Sequence, residues 1–230
     1  MSRSLKAALA IAVAVGLYQV AAGANGSSLP AAPSSGSTSM PTMTPEERAV
    51  QAYNSGNDHR EKGRKAEDQA MTKQGSERDK TLKKAQEEFD KALKDYRNAA
   101  KINPKLFQAY NGMGYSLRKA GDYAKALEMY DQAIQMAPGP YAEAIEYRGE
   151  AFLGLNRIED ARKAYLELFA LDRKQADSLM GAMKTWIEKR KTDPAGVDPT
   201  AVSGLEKWLG ERGEISKDSE LMSLSTKSRW

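Results

Sequence analysis

Residues 110–138 read YNGMGYSLRKAGDYAKALEMYDQAIQMAP, and their small and large apolar residues decide how this chain folds. Gly114 and Ala126 are small enough to let two antiparallel helices approach closely, and Tyr130 fills the space between them. Pro138 cannot continue a helix, so the second helix ends before it. The stretch therefore predicts a hairpin of two packed α-helices.

The pattern of this hairpin recurs along the chain, which indicates an internal repeat. A shift of 34 residues superimposes four residues on four of the same type: Ala92, Tyr96, Ala99 and Pro104 on Ala126, Tyr130, Ala133 and Pro138. A shift of 35 residues superimposes three more: Gly114, Ala126 and Tyr130 on Gly149, Ala161 and Tyr165. A period of this length is that of a two-helix unit, so the chain is predicted to be all-α.

These residues resemble the tetratricopeptide repeat (TPR) family, whose pattern is followed through nearly a whole repeat at residues 107–140. Residues 142–173 keep the small and aromatic positions of the next repeat. They depart from the family at Arg148, where leucine is usual, and at Arg173, where proline is usual. The resemblance implies a TPR-like helical solenoid of antiparallel helix pairs.

Residues 45–104 contain a longer version of the same unit. Gly56 precedes Ala92 by 36 residues, whereas Gly114 precedes Ala126 by only 12. Small residues follow a helical 3-4 spacing through the first half of this segment, and large residues alternate with small ones through the second half. We therefore expect an extended first hairpin whose first helix is small on its inner stripe and charged on its outer face.

The sizes of the side chains also predict the register of this hairpin. If the turn centres on residues 73–80, antiparallel pairing places Phe89 opposite Gly63 and Tyr96 opposite Gly56. Each glycine costs roughly 1 kcal/mol in a helix, which close packing must offset. His59, the only histidine of the chain, lies on the same inner stripe and is predicted to have a structural role.

The two ends of the chain carry different signals. Residues 1–24 have Arg3 and Lys6 before an apolar run that ends in small residues, which is typical of a secretory signal peptide. We expect export to a Gram-negative type of periplasm, with cleavage after Ala24. The alternative is an uncleaved leader that anchors the protein to the membrane. Residues 25–44 are polar, small and proline-punctuated, and they predict a disordered linker.

After the repeats, residues 174–213 predict capping helices. The apolar face of the first of them includes Leu179, Met183 and Trp186. Asp198-Pro199 reads as the start of a second helix, which we expect to end at Gly213. Residues 214–230 form a tail with weak periodicity and no predicted role.

The composition excludes most kinds of active site. There is no cysteine, so thiolate chemistry and disulfides are absent, and every histidine-dependent mechanism would have to use His59. One histidine without cysteine does not make a metal shell, and no glycine-rich phosphate loop occurs. We predict no cofactor, no metal and no enzymatic activity. The net charge of +4 is not clustered in a way that predicts nucleic-acid binding.

The resemblance implies a groove, lined by the first helix of each pair, that binds peptide segments of other proteins. The groove positions carried over from the family are Gln108, Asn111, Tyr115, Arg118 and Lys119 in one repeat, and Glu143, Glu146 and Glu150 in the next. They predict a basic wall beside an acidic one, suited to an envelope protein segment of mixed charge. The predicted function is thus a non-enzymatic scaffold or adaptor. Two alternatives are a self-associating structural protein and an envelope enzyme of unrecognised type.

Overall fold

The structure is a computed structural model that describes residues 43–227, with side chains described as far as residue 214. This part of the chain forms eight α-helices and no strand: α1 (Pro45–Ala70), α2 (Gly75–Ile102), α3 (Phe107–Lys119), α4 (Tyr123–Met136), α5 (Ala142–Gly154), α6 (Ile158–Leu171), α7 (Arg173–Thr192) and α8 (Pro199–Lys227). The predicted all-α class is confirmed. The predicted leader and nearly all of the predicted linker lie outside the described residues.

Local sequence signals set several helix ends. The Glu47 N–H donates to Thr44 Oγ1 at 3.2 Å, while the Thr44 N–H donates to Glu47 Oε2 at 2.8 Å, and Pro45 occupies the first turn of α1. This reciprocal pair is a capping box. Gly121, with φ of 81°, reverses the chain between α3 and α4, and the Asp122 side chain then caps α4.

The first hairpin has the register that the residue sizes predict. A Cβ atom on Gly63 would lie 2.5 Å from the Phe89 ring, and one on Gly56 would lie 2.6 Å from the Tyr96 ring. Both rings are almost completely buried. The two helices therefore pack in contact along their length because large side chains of α2 lie on glycines of α1.

The turn of this hairpin lies earlier than predicted. It occupies residues 71–74 rather than centring on residues 73–80. Gly75 begins α2 with φ of +54°, a conformation that glycine adopts without a side-chain clash, so α2 can start as soon as the chain has reversed. The first residues of α2 extend beyond the end of α1 as a result.

Glycine also sets the packing of the two repeats, with different partners in each. In the first repeat a Cβ on Gly114 would lie 2.6 Å from the buried Tyr130 ring, as the sequence pattern implied. In the second, the nearest side chain to Gly149 is Leu179 of α7. Tyr165 is fully buried and packs at 5.3 Å on the Trp208 ring of α8, edge to face. The last repeat is thus closed by both helices that follow it.

The capping helices differ from the sequence prediction at their end. The buried side chains of α7 and α8 form one apolar cluster with the last repeat. We expected α8 to end at Gly213, but the helix continues to Lys227. A glycine ends a helix by adopting a positive φ, and Gly213 is not among the described glycines that do so. None of the helices within residues 43–227 is both long and apolar enough to cross a membrane.

Candidate functional site

The first helices of the successive pairs lie side by side and form one continuous face. Helix α1 contacts α3, α3 contacts α5, and α5 contacts α7. We call the surface that these four helices share the A face. All eight groove residues predicted from the sequence belong to α3 or α5, so each of them lies on the helices that form this face.

A chain of aromatic rings runs beneath the A face. The Tyr115 ring lies 6.0 Å from Phe89 and 5.3 Å from Tyr147, and Tyr147 lies 6.2 Å from Tyr130. Tyr115 itself is only 5% exposed. The residue that the sequence placed in an open groove therefore forms the packed floor of the face, where it joins α2, α3 and α5.

Arg118 lies over this aromatic floor. Its guanidinium carbon is 5.1 Å from the Tyr115 ring centre and 5.2 Å from that of Tyr147. Its Nε donates to Tyr130 Oη at 3.3 Å, and its Nη1 pairs with the Glu150 carboxylate. The predicted basic and acidic walls thus neutralise each other here through a half-buried ion pair.

Glu146 extends the same network toward α7. Its side chain is 3% exposed, accepts a hydrogen bond from Ser178 Oγ at 2.9 Å, and is hydrogen-bonded to Glu150. Burial, followed by repulsion from Glu150, raises the pKa of Glu146 to about 8. The carboxyl is therefore protonated at neutral pH, which lets it donate to the Glu150 carboxylate that Arg118 holds.

This protonated carboxyl predicts a pH-dependent stability. In the unfolded chain Glu146 loses its proton near the usual value of 4.5, whereas the folded chain keeps it up to about pH 8. The folded state binds the extra proton within this window, so stability is full below about pH 4.5 and falls as the pH rises toward 8. Glu146→Gln should flatten that decline in urea unfolding at pH 5, 6.5 and 8. The exposed control Glu128→Gln should decline as the wild type does, and parallel curves for all three proteins would contradict the assignment.

Asn111 and Glu143 belong to a second polar cluster between α3 and α5. Asn111 Nδ2 donates to Tyr141 Oη at 3.0 Å, and Tyr147 Oη donates to Glu143 Oε1 at 3.2 Å. Asn111 is buried, and its Oδ1 atom has no hydrogen-bond partner. Gln108 lies half-buried one helical turn earlier on α3. Most polar groups of this cluster are thus already engaged within the fold.

Lys119 is also engaged. Its Nζ lies 2.6 Å from Glu67 Oε2 of α1, and it sits 5.7 Å from the ring centres of both Phe89 and Tyr115. The long first hairpin brings Glu67 to this position, since an α1 of ordinary repeat length would end before it. The pair ties the extended hairpin to the next repeat.

The sequence reasoning missed Arg60, which reaches the A face from α1. Its guanidinium carbon lies 5.5 Å from the Tyr115 ring centre. Although burial lowers its pKa, the nearby Tyr96, Tyr147 and Glu143 raise the pKa of Arg60 above its usual value. Within residues 43–214 it has no ion pair or hydrogen bond. A signal was present in the repeat, because Arg60 follows Gly56 by four residues as Arg118 follows Gly114.

His59 lies on the seam between α1 and α2. Its Nδ1 is 2.7 Å from Glu88 Oε2, and Lys91 donates to the other oxygen of the same carboxylate at 2.6 Å. Lys91 and then His59 lower the pKa of Glu88 to about 2. In the described residues no group of three or more His, Cys, Asp or Glu side chains is arranged to hold a metal ion. His59 therefore acts in the structure as a polar link between two helices.

These features define a class of protein, a helical-repeat protein whose stacked helix pairs present one continuous face. A model of the tetratricopeptide repeat family matches residues 107–140. The small glutamine-rich tetratricopeptide repeat-containing protein 2 of Mycosarcoma maydis is 35% identical over 51 residues, which are 22% of this chain and 14% of that protein. Residues 107–140 thus contain a tetratricopeptide repeat. Tetratricopeptide repeats are typically non-catalytic interaction domains.

Two solved structures are similar in fold. The Arabidopsis OM64 TPR domain is 17% identical with a TM-score of 0.41, and the similarity covers 60% of this chain and 98% of that one. The first TPR of Spaghetti (RPAP3), bound to the HSP90 peptide SRMEEVD, is 19% identical with a TM-score of 0.39 and covers 58% and 94% respectively.

Proposed function

We propose that this protein is a scaffold or adaptor that holds a peptide segment of an envelope protein on its A face, in the bacterial periplasm or cell envelope. The observation that carries the proposal is Arg60. It is a half-buried cation on the A face with no ion pair in the described part of the chain, where Glu143 acts on it only at longer range, whereas Arg118 and Lys119 are both paired. A partner that supplies a carboxylate would satisfy it.

The rest of the face suits a peptide that brings apolar and polar side chains together. An open cleft of about 590 Å³ lies between α3, α5 and α7, and its lining includes Thr185, Trp186 and Lys189. Aromatic and arginine side chains make up the residue types most enriched at the centres of protein interfaces. Arg60 and Arg118, which lines this cleft, both lie over the Tyr115 ring, so one bound segment can reach Arg60 and the cleft together.

The cellular location rests on sequence features alone. Residues 1–24 have the charge and hydrophobicity of a secretory leader, and the absence of cysteine suits an oxidising compartment. If the leader is retained, the protein is anchored to the membrane, and the polar segment 25–44 sets the reach of the folded part.

Site-specific photo-crosslinking tests binding and location together. A photoreactive residue replaces Thr185 in the cleft, or Gln132 on the exposed side of α4 as control, in full-length protein expressed with its own leader in its own host. We expect a dominant adduct with another protein from Thr185 alone, in the periplasmic fraction, with a mature chain that begins at Asn25. Only self-adducts would support the self-associating alternative, and equal adducts at both positions would contradict a specific face.

A substitution pair tests the role of Arg60. Arg60→Gln should lower the adduct yield from Thr185, because it removes the cation while keeping a polar side chain that can donate hydrogen bonds. Arg97→Gln changes an exposed arginine of α2 and should leave the yield unchanged. Equal yields from the two variants would remove the argument for a carboxylate-bearing partner.

A further inference from the structure

The far end of the first hairpin has properties that the A face does not use. Helices α1 and α2 have 26 and 28 residues, about twice the 13 and 14 of α3 and α4. We call residues 71–84 the hairpin tip. Residues 74–80 are all exposed. Two large apolar side chains of the tip are exposed as well, Met71 to 81% and Leu82 to 40%.

Positive charge is concentrated in the tip. Its 14 residues include five basic residues and two acidic ones, a net charge of +3, whereas residues 43–70 and 85–214 together have 25 basic and 27 acidic residues. None of the tip's Arg78, Lys80, Lys83 and Lys84 has an ion pair within residues 43–214. Elsewhere in the fold, basic side chains such as Lys119, Lys125 and Lys191 are paired with carboxylates. The tip thus presents a local field that its own structure does not neutralise.

The apolar side chains of the tip border a cleft. It has a volume of about 380 Å³ and lies where the hairpin passes the end of α3, with Met71, Leu82, Arg64 and Arg78 in its lining. Glu67 and Asp68 also line it, and Glu67 is paired with Lys119. Arg64 has a long 3.9 Å pair with Glu61, whereas Arg78 has no ion pair within residues 43–214. Apolar walls with the Arg78 guanidinium at the rim would accept an apolar side chain flanked by carboxylates.

We propose that the hairpin tip is a second docking surface, which adjoins the A face at Tyr115 and Lys119 and lies apart from the Thr185 cleft, and that it binds an acidic protein segment through a large apolar side chain in its own cleft. The argument for a protein segment is the shape of the site together with its charge. A bilayer surface would meet the protruding lysines but would leave the recessed wall of the cleft unfilled, whereas a side chain from a peptide can enter it. The extra length of the first hairpin then has a use in binding.

The test measures fluorescence anisotropy with full-length protein and a fluorescein-labelled peptide of glutamates around a central Leu-Phe pair. The triple variant Lys80→Glu, Lys83→Glu, Lys84→Glu should weaken binding by about tenfold or more, because attraction becomes repulsion. The control Lys174→Glu, Lys184→Glu, Lys207→Glu makes the same change in net charge at exposed positions of α7 and α8. It should retain most of the affinity. Equal losses in both variants would overturn the proposal in favour of non-specific charge attraction.

Two further measurements separate the apolar contribution and the alternative occupant. Met71→Ser should weaken peptide binding severalfold without changing its salt dependence, because it alters the cleft and no charge. Vesicles that contain phosphatidylglycerol should bind the wild type and the triple variant alike. If vesicles bind the wild type but not the triple variant, and the peptide does not bind, the proposal of a protein segment is wrong and the tip binds a lipid surface instead. The Thr185 adduct should persist in the tip variants, so failure at the tip is distinguishable from failure on the A face.

Discussion

Gly63→Leu is expected to lower the stability of the first hairpin by about 3 kcal/mol, the upper part of the range for overpacked cores. A Cβ atom at this position would lie 2.5 Å from Phe89 Cε1 and 2.8 Å from Cζ. The Phe89 ring is 1% exposed and is packed against Tyr115, so it has no free space into which to move. The rest of the leucine side chain would separate α1 from α2.

A second glycine provides a control with the opposite expected sign. Gly181 lies within α7, and no atom is within 4 Å of the position that its Cβ would occupy. Gly181→Leu should therefore stabilise the protein by up to about 1 kcal/mol, since leucine is the better helix former. Thermal unfolding compares the two variants, and hydrogen exchange should show the loss in Gly63→Leu concentrated in α1 and α2. Equal melting temperatures would mean that the Gly63–Phe89 contact does not hold the hairpin together.

A double-mutant cycle tests whether the clash with Phe89 causes the loss of stability in Gly63→Leu. Phe89→Ala alone should cost about 3 kcal/mol or more because it leaves a cavity. In the Gly63→Leu background the same change should cost much less, because the new leucine can occupy the space that the ring leaves. Additive losses would show that Gly63→Leu acts through some other contact.

The success of the predicted register follows from the size of side chains. The glycines of α1 lie opposite the aromatic rings of α2, and this arrangement permits few other registers between the two helices. A shift of one helix along the other would place Phe89 and Tyr96 against residues that carry a Cβ atom. The sequence gives the size of each side chain directly, and the helical period then predicts which small residue lies opposite which large one. The same reasoning applies within the first repeat, where Gly114 lies under Tyr130.

The pairing and protonation of the polar side chains could not be predicted from residue size and period. The repeat positions placed Arg118 and Glu150 correctly on α3 and α5, but their mutual pairing depends on the approach of two helices, which the spacing does not specify. Glu146 needs Ser178 of α7 and a retained proton to be buried. The predicted open groove is therefore more internally neutralised than its residue types suggest.

The continuation of α8 was missed for an energetic reason. A glycine in a helix costs only about 1 kcal/mol relative to alanine, which the packing of nearby apolar residues can offset. Trp208 and Leu209 are buried just before Gly210 and Gly213. Gly213 would end the helix only if a turn at this position had a lower free energy than a continued helix. A single sequence does not give the difference between these two free energies.

Arg118→Met is expected to cost about 3 kcal/mol at neutral pH, because removal of one partner of a buried ion pair leaves the other partner without compensation. The side chain of Arg118 is 10% exposed and that of Glu150 is 24% exposed, so neither charge is freely hydrated. Without the guanidinium, the Glu150 carboxylate would remain beside the buried Glu146, and the Tyr115 and Tyr147 rings would lose the cation above them.

The double variant Arg118→Met, Glu150→Gln should recover more than half of that loss, because no uncompensated charge remains. Lys191→Met removes a cation from an exposed pair with Glu188 and Glu206, and it should cost much less than Arg118→Met because water already solvates these charges. Urea unfolding at one pH compares the three variants. A loss in Arg118→Met no larger than in Lys191→Met would mean that the Arg118–Glu150 pair contributes little to the fold. In that case both side chains could separate at little cost, and Arg118 would join Arg60 as a cation available to a bound peptide.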